Sequence, residues 1–318
     1  MYDSAVAAQT RFAPLKTRQL APPQVMTGGE RRRLNPNRGL IKLCERYLDM
    51  VVCRFVFPFV GHLWSPYCRV LERNFALATT TLAPAAWPRD LRPLRALLIT
   101  DIHAGIFLKP QTLWEIIRSL IETKPDMVLL GGDLVTGHTS DATPYLPALA
   151  QLRSAPLGAW FCFGNHDYFG GDPAELEENL AAVGIKTLKN ESVELAHGGR
   201  RLVLGGIDDR IMGQPDWNAL TAKHGAPHIL LAHNPDFFYE AEARGVPLML
   251  SGHTHGGQIR LPRGPAIIRQ SRYCLDEGVY AYRSALLVVS RGLGSVALPF
   301  RWGADPEAVL IDIVPPNG

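Results

Sequence analysis

The chain has 318 residues, of which 47% are hydrophobic, and its formal net charge is +3. This length and composition are typical of a globular protein with a full hydrophobic core. The charge is unevenly distributed: residues 1–95 carry 15 Lys/Arg and 6 Asp/Glu, whereas residues 96–318 carry 18 and 24. The asymmetry predicts a basic N-terminal appendage joined to an acidic domain.

The cysteines argue against a disulfide framework. They are odd in number and show no C-x-x-C spacing, so we expect reduced thiols in a cytoplasmic protein. A signal peptide is not expected either, because the first strongly apolar stretch begins near Phe55 and no clean small-residue cleavage site follows it. The five cysteines are Cys44, Cys53, Cys68, Cys162 and Cys274.

Two segments precede the acidic domain. Residues 1–38 hold four prolines, a glycine pair and an arginine run without apolar periodicity, which predicts a mobile basic segment. Residues 39–93 are interpreted as an amphipathic helical segment followed by a proline-rich linker over 73–93, and the domain proper is placed at 94–318. The uncharged stretch that follows Arg54 and runs to Cys68 is too short for a spanning helix, which needs roughly 17–25 apolar residues. Two alternatives stay open for Leu40–Trp64: it lies in a membrane interface, or it packs on the domain.

From residue 94 the chain alternates between short apolar runs and helical patterns, which indicates an α/β fold. After residue 258 the pattern becomes strand only. Strands are predicted at Leu94–Thr100, Met127–Leu130, Ala159–Phe163, 192–196, 201–206, His228–Leu231, Val246–Leu250, 258–260, 279–282, 285–290 and 307–313, and helices at 111–123, 144–153, 173–184, 216–223 and 236–244.

Polar residues with metal-binding side chains stand just past the ends of five predicted strands. Residues at the same ends of neighbouring strands gather along one edge of a sheet, where open α/β folds place their sites. Carboxylate, amide and imidazole groups without thiolate suit Mn²⁺, Fe or Zn²⁺. The sequence therefore predicts a metal site at this edge. The five residues are Asp101, Asp133, Asn165, His233 and His253.

The segment Leu248–Ile259 adds a further histidine to this set. His253 and His255 lie two residues apart in an expected extended turn, so both imidazoles project to the same side. Flanking glycines let the backbone approach closely whatever the two histidines hold. Paired imidazoles of this kind suit two neighbouring metal ions, with one nitrogen to each.

These blocks resemble the signature of the calcineurin-like metallophosphoesterases over about residues 94–314. Shorter features resemble a bacterial branch of single-domain phosphodiesterases. The fold implied is a central β-sandwich flanked by α-helices, to which this chain would add its N-terminal basic, amphipathic helical appendage. The matching blocks are Asp101/His103, Gly132-Asp133, Gly164–Asp167, His233 and Gly252–His255, and the shorter features are Leu231–Asp236 and Ser290–Ser295.

The resemblance also implies roles for individual residues. His166 is expected to face the substrate as a catalytic residue, stabilising negative charge and protonating the leaving oxygen, with Asp167 fixing its tautomer. Two divalent metal ions, Mn²⁺, Fe or Zn²⁺, are implied as cofactors. One ion would bind Asp101, His103 and His255, and the second would bind Asn165, His233 and His253, with Asp133 bridging both.

The function implied is hydrolysis of a phosphodiester or pyrophosphate bond by a metal-activated hydroxide. Some relatives act on the lipid-linked UDP-2,3-diacylglucosamine, and residues 1–64 suit an anionic membrane surface. A lipid-linked or nucleotide-lipid substrate at the cytoplasmic membrane face is therefore expected. The alternatives are a soluble small-molecule phosphodiesterase or phosphatase, a nuclease, and a catalytically silent scaffold. The acidic 96–318 segment argues against a nucleic-acid partner.

Overall fold

Two β-sheets, packed face to face, form the centre of the molecule. A computed structural model describes residues 11–23, 51, 71, 74–105, 107–169, 172–260, 266–267, 269–296, 298 and 300–316. Within these ranges fourteen strands form two seven-stranded sheets. The strands are β1 (Arg11–Pro14), β2 (Thr17–Gln19), β3 (Ala76–Leu82), β4 (Leu94–Ile99), β5 (Met127–Leu130), β6 (Ala159–Phe161), β7 (Ile185–Thr187), β8 (Glu191–His197), β9 (Arg200–Gly206), β10 (Ile229–Leu231), β11 (Leu248–Ser251), β12 (Gly278–Tyr282), β13 (Ala285–Val289) and β14 (Glu307–Ile313).

The first sheet has the order β1-β3-β14-β4-β5-β6-β7 and the second β2-β12-β13-β11-β10-β9-β8. The strands that carry the predicted site, β4 to β6 and β10 with β11, pair in parallel within each sheet. Parallel strands covered on both faces read as continuous apolar runs rather than as alternating ones. That is why the sequence revealed them as blocks such as Met-Val-Leu-Leu in β5, of which every residue is buried.

Three apolar clusters lie between four layers, which are the two sheets and the helical layer on the outside of each. Leu98 of β4 and Leu250 of β11 belong to the cluster between the two sheets. Leu97, on the opposite face of β4, packs with helix residues on the outside of the first sheet, and Met249 packs on the outside of the second. The predicted β-sandwich flanked by helices is confirmed.

The helices begin where local signals place them. Helix α1 (Pro110–Ile121) has proline in its first turn and buries Leu113, Ile116, Ile117 and Leu120 at helical spacing. Helix α3 (Pro173–Ala182) is capped by Asp172, whose Oδ1 accepts the Ala174 amide at 2.9 Å. The prediction for 144–153 is met by α2 (Leu146–Leu149) between two 3₁₀ segments. The remaining helices are α4 (Trp217–Ala222) and α5 (Phe238–Ala243).

The N-terminal region differs from its prediction where the structure describes it. Within the segment expected to be mobile, β1 pairs with β3 in the first sheet and β2 pairs with β12 in the second, with only Leu15 and Lys16 between them. This short segment therefore joins one edge of each sheet. Covering an edge strand satisfies backbone groups that would otherwise be open to other chains.

The predicted linker over 73–93 is wrong for residues 76–82, which form β3 between β1 and β14. Its sequence, Ala-Leu-Ala-Thr-Thr-Thr-Leu, lacks an apolar run, so its pairing partners rather than local pattern define it. Leu40–Trp64 lies outside the described residues apart from Val51, and the division into domains stays a prediction. Among the helices of the described ranges, none is long and apolar enough to cross a membrane.

Candidate metal centre

The predicted ligands gather at one end of the sandwich. Each of five strands, β4, β5, β6, β10 and β11, ends just before one of the predicted blocks. The first three strands belong to the first sheet and the last two to the second, so the blocks meet where the two packed sheets end and not, as predicted, along one sheet edge. The side chains are shielded from solvent, with exposed fractions between 0 and 7%. The residues are Asp101, His103, Asp133, Asn165, His233, His253 and His255.

Three of these residues, Asp101, His103 and His255, form a first group. One candidate ligand atom from each lies within 4.8 Å of the others. Nε2 of His103 is 3.1 Å from Nε2 of His255, which in turn lies 3.5 Å from Oδ1 of Asp101. Two imidazole nitrogens and a carboxylate oxygen converge on one point, which is the arrangement a divalent cation requires.

Asp133, His233 and His253 form a second group with the same 4.8 Å limit. Nε2 of His233 is 3.1 Å from Oδ2 of Asp133 and 3.2 Å from Nδ1 of His253. Oδ2 of Asp133 also lies 3.8 Å from Nε2 of His103 in the first group. The Asp133 carboxylate thus stands between the two groups, where a bridging ligand would stand.

Asn165 offers a further test of whether the residues fit metal ions. Its Oδ1 is buried and has no hydrogen-bond partner among the described residues. A buried amide oxygen without a partner is costly, and a cation would satisfy it. The backbone amide of the next residue, His166, donates to Oδ1 of Asp133 at 2.7 Å, which places Asn165 beside the second group. The donor set fits two divalent cations; that these residues bind them stays a prediction.

The backbone at the site is held in an unfavourable conformation. Five of the seven candidate ligands have positive φ, in the left-handed region. This costs about 1–2 kcal/mol for a residue with a side chain, so the surrounding packing must impose it. Concentrated strain of this kind is typical of a functional site. The residues are Asp101 (50°), His103 (48°), Asp133 (51°), His253 (74°) and His255 (52°).

The pKa values of the two carboxylates, Asp101 and Asp133, are shifted in opposite directions. Burial raises the pKa of Asp101 to about 6. Burial acts in the same direction on Asp133, but the neighbouring His233 and His166 lower the pKa of Asp133 well below its ordinary value. The pKa of His233 is raised to about 10, because Asp133 outweighs the burial of the imidazole. In the metal-free centre Asp133 is therefore ionised and His233 protonated, and a cation that binds Nε2 of His233 would displace its proton.

The histidines of the first group are neutral. Burial, followed by the neighbouring His166, lowers the pKa of His103 well below its ordinary value, and burial with His103 does the same for His255. A neutral imidazole presents a lone pair to a metal ion. In the second group, Nδ1 of His233 lies 2.8 Å from the carbonyl of Gly131, to which it can donate, leaving Nε2 to face the centre.

The expected role of Asp167 is wrong. Its carboxylate is fully buried and accepts four backbone amides, from Asp133, Leu134, Val135 and Gly164 at 2.8–3.3 Å. Both oxygens are occupied by the loops that follow β5 and β6, so Asp167 does not orient His166.

His166 instead has its Nδ1 2.8 Å from the carbonyl of Thr136, which accepts the ring proton and fixes the tautomer. Its ring packs edge to face against His103 and Phe169, with centroids 4.8 and 4.7 Å away. The ring is thus packed against the first group, with its Nδ1 committed to a backbone carbonyl.

The sequence analysis missed two features of the site. Asp208 and Asp209 follow β9 and are buried, and Oδ1 of Asp209 has no hydrogen-bond partner among the described residues. Their position just past a strand was a usable signal. Arg301 lies 6% exposed, with Nη2 3.0 Å from Nδ1 of His255. No local pattern marked it, because its partner is 46 residues away.

An α/β sandwich with two adjacent groups of candidate metal ligands at one end of its sheets is the arrangement expected of a metallophosphoesterase. Sequence comparison agrees with this class. The chain belongs to the calcineurin-like phosphoesterase family, whose model matches residues 94–257.

The chain is also similar to individual proteins. The chain is 30% identical over 259 residues to YkuE of Bacillus subtilis (strain 168), an uncharacterized metallophosphoesterase, covering 79% of this chain and 90% of YkuE. It is 33% identical over 229 residues to the phosphodiesterase YaeI of Escherichia coli (strain K12), covering 70% and 83%. The crystal structure of a 5'-nucleotidase precursor from Thermus thermophilus matches at a TM-score of 0.41 and 15% identity, over 69% of this chain and 55% of that one.

Proposed function

We propose that this protein is a binuclear metal-dependent phosphodiesterase that hydrolyses a phosphodiester or pyrophosphate bond. The observation that carries the proposal is the place of Asp133, whose Oδ2 lies 3.1 Å from His233 of one ligand group and 3.8 Å from His103 of the other. A similar protein, YaeI of Escherichia coli, is a phosphodiesterase by name.

Each group would hold one divalent cation, Mn²⁺, Fe or Zn²⁺. Asp101, His103 and His255 would bind the first and Asn165, His233 and His253 the second, with Asp133 shared. Two such cations would activate water and neutralise charge on the phosphoryl group. The donor set contains oxygen and nitrogen but no thiolate, which supports these metals as a class. Which of them the protein binds would depend on the metal ions available in the cell.

His166 is proposed as the catalytic residue beside the metals. With Nδ1 committed to the Thr136 carbonyl, its Nε2 is the nitrogen that can reach a substrate. A protonated ring would donate from Nε2 to the leaving oxygen, and the Thr136 carbonyl would stabilise the imidazolium by accepting from Nδ1. Asp167 contributes indirectly, by holding the loops that carry Asp133 and Gly164.

The experiment is an activity assay with measured metal content. Purified protein should contain about two transition-metal ions per chain, as a two-metal site requires. It should hydrolyse a phosphodiester or a nucleoside-diphosphate lipid, and a chelator should abolish turnover. Asp133→Asn, prepared in parallel, should be inactive. Full activity in metal-free protein, or activity on phosphomonoesters alone, would contradict the proposal.

We further propose that the substrate is lipid-linked and is met at the cytoplasmic face of a membrane. The support is in the sequence: residues 1–40 carry seven Lys/Arg against two Asp/Glu, and an uncharged aromatic stretch follows Arg54. A basic cluster gains about 1 kcal/mol per Lys or Arg near an anionic leaflet, and apolar burial adds to this.

Sedimentation with anionic liposomes tests the membrane proposal on the full-length chain, because truncation before residue 90 would remove β3 from the first sheet. Replacing Arg31, Arg32 and Arg33 together by Glu should abolish binding. The control makes the same charge change at three exposed positions of the acidic domain, Arg118, Lys124 and Arg153, and should leave binding intact. If the wild type stays in the supernatant, a soluble small-molecule substrate is the better account.

A further inference from the structure

A buried arginine contacts His255 of the first ligand group at the ring nitrogen that faces away from the other ligands. Arg301 is 6% exposed, although its neighbours Phe300 and Trp302 are 46% and 47% exposed. Its Nη2 lies 3.0 Å from Nδ1 of His255, and its Nη1 donates to the backbone carbonyl of the same residue at 3.5 Å. Its Nε donates to the carbonyl of Gly294 at 2.9 Å and its Nη1 also to the carbonyl of Ala304 at 3.3 Å. The segment thus turns this one side chain inward while its neighbours face solvent.

The partners of Arg301 are unusual for a buried cation. Among the residues that the structure describes, no carboxylate lies within salt-bridge distance of it, whereas Arg291 pairs with Glu307 at 2.6 Å and Arg260 pairs with Glu277 at 2.6 Å. Burying a guanidinium without a counter-ion is costly, so geometry rather than charge pairing must account for its place. Its planar fork of donors can hold several acceptors in fixed directions at once.

Those acceptors connect Arg301 to all three residues of the first group. The bond from Nη1 to the carbonyl of His255 holds the backbone of that residue, and the guanidinium covers the Nδ1 edge of its ring, whose Nε2 faces the other ligands. Gly294 donates its amide to the carbonyl of Asp101. A Cβ at Gly294 would stand 2.7 Å from Cβ of His103, so this backbone packs directly on the first strand-end block. Arg301 thereby links the loop of His255 to the loop of Asp101 and His103.

The second group is oriented differently. His233 is held through Nδ1 by the carbonyl of Gly131. The sequence between Gly294 and Ala304 supplies no ligand to that group. We propose that Arg301 is a positioning residue for the first metal subsite alone, holding His255 in register with Asp101 and His103. The inference rests on the proposed function, since it presumes that this group binds a cation.

Cobalt titration of metal-free protein tests this without substrate. Visible absorption reports the ligand geometry at each ion, and variants His103→Ala and His233→Ala identify the bands of the first and second subsites. Arg301→Met should weaken the first-subsite ion by about 10- to 100-fold, the usual effect of removing an outer partner of a metal ligand, and leave the second unchanged. Arg301→Lys keeps the charge without the planar fork and should show the same selective loss.

Arg291→Met is the control, because it removes another largely covered arginine, with a side chain 18% exposed, that contacts Glu307 rather than a metal-ligand candidate. It should lower the melting temperature yet keep both cobalt affinities. The inference is overturned if Arg301→Met binds both ions as the wild type does, or if Arg291→Met loses the same ion. Should Arg301→Met fail to fold, the same criteria apply to Arg301→Lys. A wild-type protein that takes up no cobalt would instead overturn the proposed function, and this inference with it.

Discussion

The carboxylate of Asp167 accepts the backbone amide of Asp133 at 2.9 Å, and the same Oδ2 accepts the amide of Gly164 at 2.8 Å. One buried side chain therefore holds together the loops that follow β5 and β6. These loops carry the candidate bridging ligand and Asn165. The relationship makes Asp167 a structural support of the metal centre, and it separates the role of this residue from that of the adjacent His166.

Asp167→Asn should lower the free energy of unfolding of the metal-free protein by about 3 kcal/mol. The amide would retain one acceptor and turn an NH₂ group toward backbone donors, leaving buried N–H groups unsatisfied at about 1–3 kcal/mol each. Urea denaturation measures the change. Asp172→Asn is the control: Asp172 caps α3 at its surface, and asparagine caps as well as aspartate does, so the same substitution should have little effect there. Equal effects at both positions would contradict the role of Asp167.

Gly164→Ala should destabilise the protein and deplete its metal. A Cβ at this position would lie 2.2 Å from Oδ1 of Asp133 and 2.5 Å from its backbone nitrogen, and the backbone cannot move aside without displacing the loop. Thermal melting and metal analysis measure both effects. Gly137→Ala is the control in the neighbouring loop, where a Cβ meets nothing within 4 Å and φ is not positive. Retention of two ions in Gly164→Ala would show that the close approach is not required.

Asp133→Asn and His253→Ala should lose metal and activity together. Each change removes a candidate ligand atom, and Oδ2 of Asp133, a member of the second group, lies 3.8 Å from Nε2 of His103 in the first. The metal content should fall from about two ions per chain to about one or fewer, because a shared carboxylate holds the pair of ions together. Elemental analysis and turnover should be measured on the same preparations. His197→Ala, at a histidine whose Nε2 meets the Pro93 carbonyl, should retain both. An active, metal-replete Asp133→Asn protein would refute the bridging assignment.

His166→Ala should keep both ions yet slow turnover by roughly 10²- to 10⁴-fold, the usual contribution of a general acid or base. The contact between the His166 backbone amide and Oδ1 of Asp133 survives the substitution, so the second group should stay in place. Steady-state kinetics with metal analysis checks both halves of the expectation. If the variant instead loses an ion, His166 is a ligand or a structural support rather than a catalytic residue.

The sequence by itself determined the family-defining part of this protein. Its strands at the centre of the sandwich are continuous apolar runs, and Asp101, Asp133 and His233 each stand immediately after one. Because parallel strands of one sheet end together, local pattern predicted that Asp101 and Asp133, which follow β4 and β5, lie near each other. His233 follows β10 of the second sheet, so its contact with Asp133 depends on the packing of the two sheets, which local pattern did not predict. The cap at Asp172 is equally local, since its side chain accepts the amide of Ala174, two residues further on.

Tertiary structure alone decided which partners the remaining side chains and strands find. β1 to β3 have no strong apolar pattern, and they become strands because distant partners satisfy their backbone groups. Asp167 accepts amides more than thirty residues away, and Arg301 contacts His255 across 46 residues. Sequence spacing shows only which side chains are close along the chain. The direction in which a buried carboxylate or guanidinium points depends on the hydrogen-bond donors and acceptors that folding brings near it from distant parts of the chain.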